Sequence, residues 1–244
     1  MTQPVFVLVR PQMGENIGAA ARAMWNFGLD RMAVVAPRDG WPNTKAVAMA
    51  SGAGRLLDEA LICDTTPDAL GNASFVYATT ARSRDLTKEI MTPEAAMSDA
   101  AARIASGQQV SVMFGPERAG LENAEIARAN AIVSVPVNPD FPSLNLAQCV
   151  LLMAYEWRRA TSDITPREIE FAGTEPAQQI EIEKLATHYE DRLTEAGFFF
   201  PETKAEGMKQ TLRNLWSRMP MTRADVQIMH GIMRQLVRWK ERGD

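Results

Sequence analysis

The sequence predicts an α/β protein with a mainly parallel sheet, followed by a smaller segment that is entirely helical. Short apolar runs rich in β-branched residues alternate with helical patterns over roughly the first 160 residues, and only helical patterns follow. Five of these runs have the length and composition of buried strands: Val5–Val9, Met32–Ala36, Phe75–Ala78, Val110–Phe114 and Ile132–Val137. Strands that alternate with helices pair in parallel, so we expect a single parallel sheet.

Three helices are predicted between or after these strands. Ile17–Phe27 has apolar residues at helical spacing, and Gly28 ends the pattern. Pro93–Ser106 is rich in alanine, and Leu144–Arg159 is a long apolar helix with Ser143 in a favourable N-cap position. These helices are long enough to cover the predicted sheet.

The chain divides into a sheet domain at 1–162, a linker at 163–176 and a helical extension at 177–244. The linker contains prolines and a glycine and has no clear periodicity. Beyond it, proline and glycine residues separate three predicted helices. These helices are Ile180–Ala196, Thr203–Arg218 and Arg223–Arg242.

The composition excludes several classes of protein. No apolar run approaches the roughly 18 residues that a membrane helix needs, and Met1–Arg10 lacks the basic lead of a signal peptide. We therefore expect a cytoplasmic protein without a membrane partner. Cys63 and Cys149 form no CxxC pair, and the only histidines are His188 and His230. The sheet domain thus lacks the imidazoles of a Ser-His-Asp triad or a His-ligated metal, so we expect no metal and favour a cofactor-driven transfer.

Charge is distributed unevenly along the chain. The net charge of −4 combines −2 over residues 1–162, −7 over 163–202 and +5 over 203–244. A basic segment behind an acidic one is typical of a helical face that binds a polyanion, or of two solvated helices that pair with each other. The sequence leaves both interpretations open.

Three predicted loops follow strands, at the edge where α/β sheets bind ligands. The first, Gly14–Gly18, precedes Arg22, which lies opposite the apolar stripe of its helix and can face an anion at that edge. A solvated arginine would give the same pattern. The GxGxxG fingerprint of dinucleotide-binding proteins is absent, which disfavours a nucleotide-dependent oxidoreductase.

The second and third loops carry further polar residues. In the second, Gly115 allows a ligand to approach the backbone, and Glu117 and Arg118 lie at the mouth of the sheet, although an ordinary turn with a surface ion pair is equally consistent. In the third, at 138–146, two prolines stiffen the chain before Asn145. The free amides of a helix start and the neighbouring leucines suit an adenine edge better than a phosphate.

Together the three loops resemble those of SpoU-type RNA 2′-O-methyltransferases of the SPOUT superfamily, and in particular the TrmJ-like tRNA methyltransferases. The family patterns NxGxxxR, FGxExxGL and SLNL occur here in order, as Asn16 to Arg22, Phe114 to Leu121 and Ser143 to Leu146. The TTARSR stretch at Thr79–Arg84 and the helical extension are also similar to the TrmJ group.

The resemblance implies a SPOUT fold with a trefoil knot across roughly residues 110–160, and a homodimer whose active site is completed across the interface. It implies S-adenosylmethionine as cofactor, and 1–162 as the catalytic domain. The implied cofactor contacts are Thr79, Thr80, Ala81, Gly115, Val135, Ser143, Leu144, Asn145 and Leu146. Arg22 would be the catalytic arginine near the target ribose, and the site would be shaped by Asn16, Glu117, Ser143 and Asn145.

The implied reaction is 2′-O-methylation of tRNA, at the pyrimidine in position 32 of the anticodon loop. We expect RNA phosphates to be bound by basic residues. The candidates are Arg82, Arg84, Arg118, Lys209 and Arg213, with Arg218, Arg234 and Arg238 on the same basic extension. Two alternatives remain: the same reaction on ribosomal RNA, which an RNA-binding domain placed before the catalytic domain would favour, and a non-catalytic RNA-binding module of the same fold.

Overall fold

A seven-stranded sheet, parallel at every pairing, lies at the centre of the N-terminal part of the chain. The computed structural model describes residues 3–81, 87–165 and 170–241. The strands are β1 (Val5–Val9), β2 (Met32–Val35), β3 (Leu61–Cys63), β4 (Phe75–Thr79), β5 (Glu89–Met91), β6 (Val110–Phe114) and β7 (Ala131–Val133). Their order in the sheet is β3-β2-β1-β6-β4-β7-β5.

The prediction of a parallel α/β sheet is confirmed, and all five predicted strands are present. The last of them is shorter than expected, because it ends at Val133 rather than Val137. Its neighbours β4 and β5 end at Thr79 and Met91, so no partner continues the ladder beyond that level. Strands β3 and β5, which have three residues each and lie at the two edges of the sheet, were not predicted.

Within the described residues, seven α-helices flank this sheet, and three of these helices were predicted. They are α1 (Gly14–Asn26), α2 (Thr44–Ala50), α3 (Gly54–Asp58), α4 (Thr66–Leu70), α5 (Pro93–Ala105), α6 (Asn123–Arg128) and α7 (Leu146–Thr161), with a 3-10 turn at Ser51–Ala53. Helix α7 begins two residues later than expected, and its N-cap is Asn145, so the prediction of Ser143 as the cap is wrong. The four missed helices have five to seven residues each, too few for a periodic pattern.

The five inner strands are buried on both faces, which gives a three-layer arrangement. Phe6, Leu8 and Val112 belong to a core that includes residues of α1, α2, α3, α5 and α7. Val7 and Met113, the alternate positions, face a second core with residues of α4 and α6. Because successive side chains of a strand point to opposite faces, a strand covered on both sides is continuously apolar, as the sequence patterns indicated.

The chain divides into two compact units, Met1–Ile164 and Thr165–Asp244. The second contains α8 (Gln179–Glu195), a 3-10 turn at Glu202–Lys204, α9 (Ala205–Ser217) and α10 (Arg223–Glu241). Its core contains Leu185, Trp216 and Val226. Part of the predicted linker is tied into this unit, since Arg223 N donates to Glu175 O at 2.9 Å. Within the described residues, no helix is both long enough and apolar enough to cross a membrane.

We predict that Gly18→Ala destabilises the sheet unit, because a Cβ at Gly18 would lie 2.1 Å from the carbonyl oxygen of Ala46 in α2. Forcing an extra carbon into a packed contact costs about 1–3 kcal/mol. The matched control is Gly54→Ala, where the added Cβ meets no atom within 4 Å and the helical φ is −54°. Urea unfolding should show a loss only for Gly18→Ala, and equal stability of the two variants would contradict the close packing of α1 on α2.

Candidate functional site

A cavity of about 220 Å³ opens at the carboxyl ends of β6, β4 and β7, which are neighbours in the sheet. Residues from three stretches line it: 79–81 after β4, 114–120 after β6 and 133–146 after β7. The first turn of α7 adds Cys149. Since parallel strands end at one edge, stretches that are far apart in sequence meet here.

The loop at 115–121 folds tightly against itself. A Cβ on Gly115 would lie 2.2 Å from the backbone nitrogen of Leu121, and Gly120 has a φ of +67°. The amide of Gly120 donates to Pro116 O at 2.9 Å, while Leu121 is fully buried. Both glycines are therefore required for this turn, one by close approach and the other by its left-handed backbone.

The carboxylate of Glu117 joins this loop to the segment between β1 and α1. It accepts hydrogen bonds from the backbone amides of Gln12 at 2.9 Å and Met13 at 3.3 Å, and from Asn16 Nδ2 at 2.7 Å. Asn16 Oδ1 in turn accepts from Asn145 Nδ2 at 2.9 Å. The three loops singled out in the sequence are thus connected by one chain of side-chain hydrogen bonds.

Asn145 also begins helix α7. Its Oδ1 accepts from the amides of Ala147 at 2.8 Å and Gln148 at 3.4 Å, and Gln148 Oε1 accepts from Asn145 N at 3.3 Å. This reciprocal pair is a capping box. Ser143, which was predicted to cap this helix, lines the cavity instead.

The floor of the cavity is uncharged. Cys149 is only partly exposed, and desolvation by burial raises the pKa of its thiol to about 11, so it stays protonated at neutral pH. Thr79 Oγ1 donates to Met113 O at 2.9 Å. Val133, Val135 and Leu146 supply apolar walls. Uncharged walls with a few backbone polar groups suit a neutral aromatic ring.

The predicted cofactor contacts lie around this cavity, with one exception. The residues that line it are Thr79, Thr80, Ala81, Gly115, Val135, Ser143, Leu144 and Leu146. Asn145 is absent from the lining, because its side chain is engaged with α7 and Asn16. Three further lining residues were not among the expected cofactor contacts: Pro116, Pro142 and Cys149. The available signal in the sequence was their position beside, or one turn after, the motif residues.

The structure brings together only part of the predicted catalytic set. Glu117 and Ser143 line the cavity, and Asn16 and Asn145 adjoin it through the hydrogen bonds described above. Arg22 is exposed on α1 and is not among the lining residues.

The predicted RNA-binding residues are scattered over the chain. Arg118 lines the cavity, whereas Arg82 and Arg84 lie outside the described residues. Lys209 and Arg213 both lie on α9. Lys209 Nζ is 3.6 Å from Glu206 Oε1, on the same helix.

The acidic and basic segments of the second unit pair with each other. Arg213 lies 2.5 Å from Glu183 and 2.7 Å from Glu190, both on α8. Arg223 at the start of α10 likewise contacts Glu175 at 2.9 Å. These contacts favour the interpretation of two paired helical segments. By contrast, three arginines of the basic extension form no ion pair with any described residue: Arg218, Arg234 and Arg238.

No group of three or more His, Cys, Asp or Glu side chains within the described ranges could hold a metal ion.

Comparison with known proteins identifies the class to which this site belongs. Residues 3–155 match the SpoU rRNA Methylase family, and residues 180–244 match the C-terminal domain of the tRNA methyltransferase TrmJ. The chain therefore belongs to the SpoU methylase family.

The relatives span nearly the whole chain. The tRNA (cytidine/uridine/adenosine-2′-O-)-methyltransferase TrmJ of Pseudomonas aeruginosa is 35% identical over 235 residues, which cover 93% of this chain and 91% of that protein. A TrmJ of Escherichia coli is 33% identical, with coverage of 93% and 92%. The crystal structure of TrmJ from Z. mobilis superimposes with a TM-score of 0.84 and 44% identity, over 96% of this chain and 99% of that one.

We predict that Asn145→Ala lowers the stability of the sheet unit by about 0.5–2 kcal/mol, because the first turn of α7 loses its cap. Asn145→Ser is the matched control, since a serine hydroxyl can cap the helix but has no amide to donate to Asn16. Chemical unfolding should separate the two variants, and an equal loss in both would show that the link to Asn16, rather than the cap, stabilises the unit.

Proposed function

We propose that this protein transfers a methyl group from S-adenosylmethionine to a ribose 2′-oxygen of tRNA, at the pyrimidine in position 32 of the anticodon loop. The observation that carries the proposal is that the second and third motif loops line one cavity with an uncharged floor at the edge of the sheet, and that Asn16 of the first loop is hydrogen-bonded to both. Membership of the SpoU methylase family supports methyl transfer. The names of the TrmJ relatives support tRNA as the substrate, and the position in the anticodon loop rests on the resemblance to TrmJ-like enzymes.

The cavity residues fit an adenosyl donor. The protonated Cys149 thiol and the side chains of Val135 and Leu146 offer an uncharged surface for the adenine ring, and the backbone of 79–81 and 115–121 offers hydrogen-bonding groups. When bound, S-adenosylmethionine supplies the electrophilic methyl carbon. The protein must then align the acceptor hydroxyl with that carbon and exclude water, and alignment alone can account for several orders of magnitude in rate.

Arg22 is our candidate for orienting the ribose hydroxyl and stabilising the charge that develops on its oxygen. A guanidinium stays protonated in proteins and cannot act as the base. We propose instead that a phosphate next to the target nucleotide receives the proton. Asn16, Glu117 and Asn145 would hold the surrounding loops, through the hydrogen bonds that link them.

We further propose a homodimer in which Arg22 of one protomer reaches the cavity of its partner. Arg22 does not line the cavity of its own chain, so a second copy is the simplest source of this residue. Helices α1 and α7 and the N-cap residue of α1 also carry exposed apolar side chains suited to an interface. These are Met13 and Trp25, each 45% exposed, with Leu151 at 39% and Tyr155 at 46%. Phe27 at the end of α1 meets the Tyr155 ring with centroids 5.7 Å apart, so the two helices are neighbours.

We also propose that the chain forms a trefoil knot across roughly residues 110–160. Its support is the family membership, together with the return of α7 onto α1 and α5 after the loop at 134–145. We also expect the enzyme to work in the cytoplasm, where its tRNA substrate is found.

For RNA binding we propose Arg82, Arg84 and Arg118 at the cavity edge, with Lys209 and Arg213 on the extension. A phosphate at Arg213 would have to compete with Glu183 and Glu190. The arginines without an ion pair among the described residues are free of that competition: Arg218, Arg234 and Arg238. Phosphate contacts of this kind supply affinity without reading sequence.

The two alternatives fit less well. A ribosomal RNA substrate agrees with the name of the family, but the extension follows the sheet unit and matches a tRNA methyltransferase domain. A non-catalytic module would have no need to retain Asn16, Arg22, Glu117, Ser143 and Asn145 together.

We predict that Arg22→Ala abolishes methyl transfer while the affinity for S-adenosylmethionine stays within about twofold, because the arginine acts on the acceptor and not on the donor. The assay is transfer of labelled methyl to tRNA transcripts, with ribosomal RNA fragments in parallel and the modified nucleotide mapped. Donor affinity is measured by calorimetry. Arg128→Ala, an exposed arginine at the far end of α6, should retain full activity.

Two outcomes of this assay would contradict the proposal. Wild-type protein that methylates ribosomal fragments but not tRNA would favour the ribosomal alternative. Equal loss of donor affinity and transfer in Arg22→Ala would assign the arginine a structural role.

A further inference from the structure

Arg10 directly follows β1, and its guanidinium contacts two carboxylates at the start of α6. Its Nη1 lies 2.5 Å from Glu125 Oε1, and its Nη2 lies 3.3 Å from Glu122 Oε1. The Glu125 side chain is only 6% exposed, compared with 38% for Arg10 and 68% for Glu122. A pair with one buried member is screened little by salt, and removing the arginine would leave a buried carboxylate without its counter-charge.

Glu125 has a second role at the same point of the fold. Its Oε2 accepts a hydrogen bond from Glu122 N at 2.6 Å, and the Glu122 side chain accepts from the backbone of Glu125, which closes a capping box. The carboxylate of Glu125 therefore bridges the guanidinium of Arg10 and the first turn of α6. Through it, the end of β1 fixes where α6 begins.

The chain immediately before α6 is the 115–121 loop, which lines the cavity. The segment that begins at Arg10 holds this loop at two places. The amides of Gln12 and Met13 hold its middle through Glu117, and Arg10 holds its end through Glu122 and Glu125. The other end of the loop is fixed because it continues from β6.

The backbone at Arg10 supports a specific role for this side chain. Its φ is +46°, in the left-handed region that favours glycine, and its amide donates to Val35 O at 2.9 Å. A side chain in this region is strained relative to glycine, because its Cβ lies close to the following carbonyl oxygen. Contacts that depend on the arginine, such as those with Glu122 and Glu125, offset this strain.

We propose that Arg10 is a positioning residue for donor binding, which acts by holding the end of the 115–121 loop through the Glu122–Glu125 capping box. The inference deepens the proposed function and rests on it, because the loop is taken to bind S-adenosylmethionine. Arg10 itself does not line the cavity.

The test compares Arg10→Ala, Arg10→Lys and Glu125→Gln in the full chain. Lysine keeps the positive charge but cannot contact two carboxylates through separate nitrogens, as the guanidinium of arginine does. Glutamine at position 125 keeps the capping box but removes the charge that pairs with Arg10. The matched control is Arg55→Ala, which removes an exposed arginine that pairs with Glu59 at 2.8 Å in the same unit.

Two readouts separate positioning from general stability. The first is the affinity for S-adenosylmethionine by calorimetry, together with kcat and KM on tRNA. The second is the rate of tryptic cleavage after Arg118, identified by mass spectrometry in the absence of any ligand. This rate reports opening of the loop itself and needs no ligand. If the wild-type protein binds no S-adenosylmethionine, the proposed function is overturned. The cleavage rate would still show whether Arg10 holds the loop.

We expect Arg10→Ala to weaken donor affinity by roughly 10-fold to 100-fold, with a matching rise in the KM for the donor and a kcat within about twofold of wild type. Cleavage after Arg118 should accelerate. Arg10→Lys should recover part of the affinity, Glu125→Gln should resemble Arg10→Ala, and Arg55→Ala should match wild type. If Arg10→Ala unfolds, the lysine and glutamine variants decide the question by the same readouts. Wild-type donor affinity and cleavage rate in folded Arg10 and Glu125 variants would overturn the proposal.

Discussion

The site depends on one electrostatic constraint, the Glu117 carboxylate and the three donors that surround it. Parallel strands bring their loops to the same edge of a sheet, but the sheet alone does not fix where irregular loops lie. Glu117 does so by accepting from two backbone amides and from Asn16, and Asn16 extends the connection to the cap of α7. A charged acceptor makes the bonds to Glu117 stronger than those between neutral groups. Two side chains, Glu117 and Asn16, thus link three loops.

This arrangement keeps charge away from the cavity floor and concentrates it at the rim. Cys149, Val133 and Val135 are neutral and line the floor of the cavity. Glu117 and Arg118 belong to the 115–121 loop, which closes one side of the cavity. A neutral floor can accommodate an aromatic ring without desolvating a charge, whereas charged groups at the rim stay close to solvent. In the second unit, Arg213 and Glu190 pair with each other, so their charges are offset within the protein.

The sequence predicted those parts of the structure that depend on residues close together in the chain. The strand predicted at Val110–Phe114 is confirmed, because both of its faces are buried and its five consecutive residues are apolar or small. The edge strands β3 and β5 were missed, since three residues of which two are exposed leave no pattern. Ser143 and Asn145 are both good capping residues, and only the reciprocal bond with Gln148 decides between them. The motifs indicated which loops form the site, but they contained no information on the Arg10–Glu125 pair, whose members are 115 positions apart and carry no shared signal.

Hydrogen exchange followed by mass spectrometry, with and without S-adenosylmethionine, tests the central claim most directly. If the three stretches that line the cavity form a single donor site, the ligand should slow amide exchange at 79–81, 115–121 and 134–146 together, and leave the amino-terminal edge of the sheet unchanged. Protection of only one of these segments, or protection at the opposite edge around Asp30 and Gly71, would contradict the account, because the loops would then not act as one site.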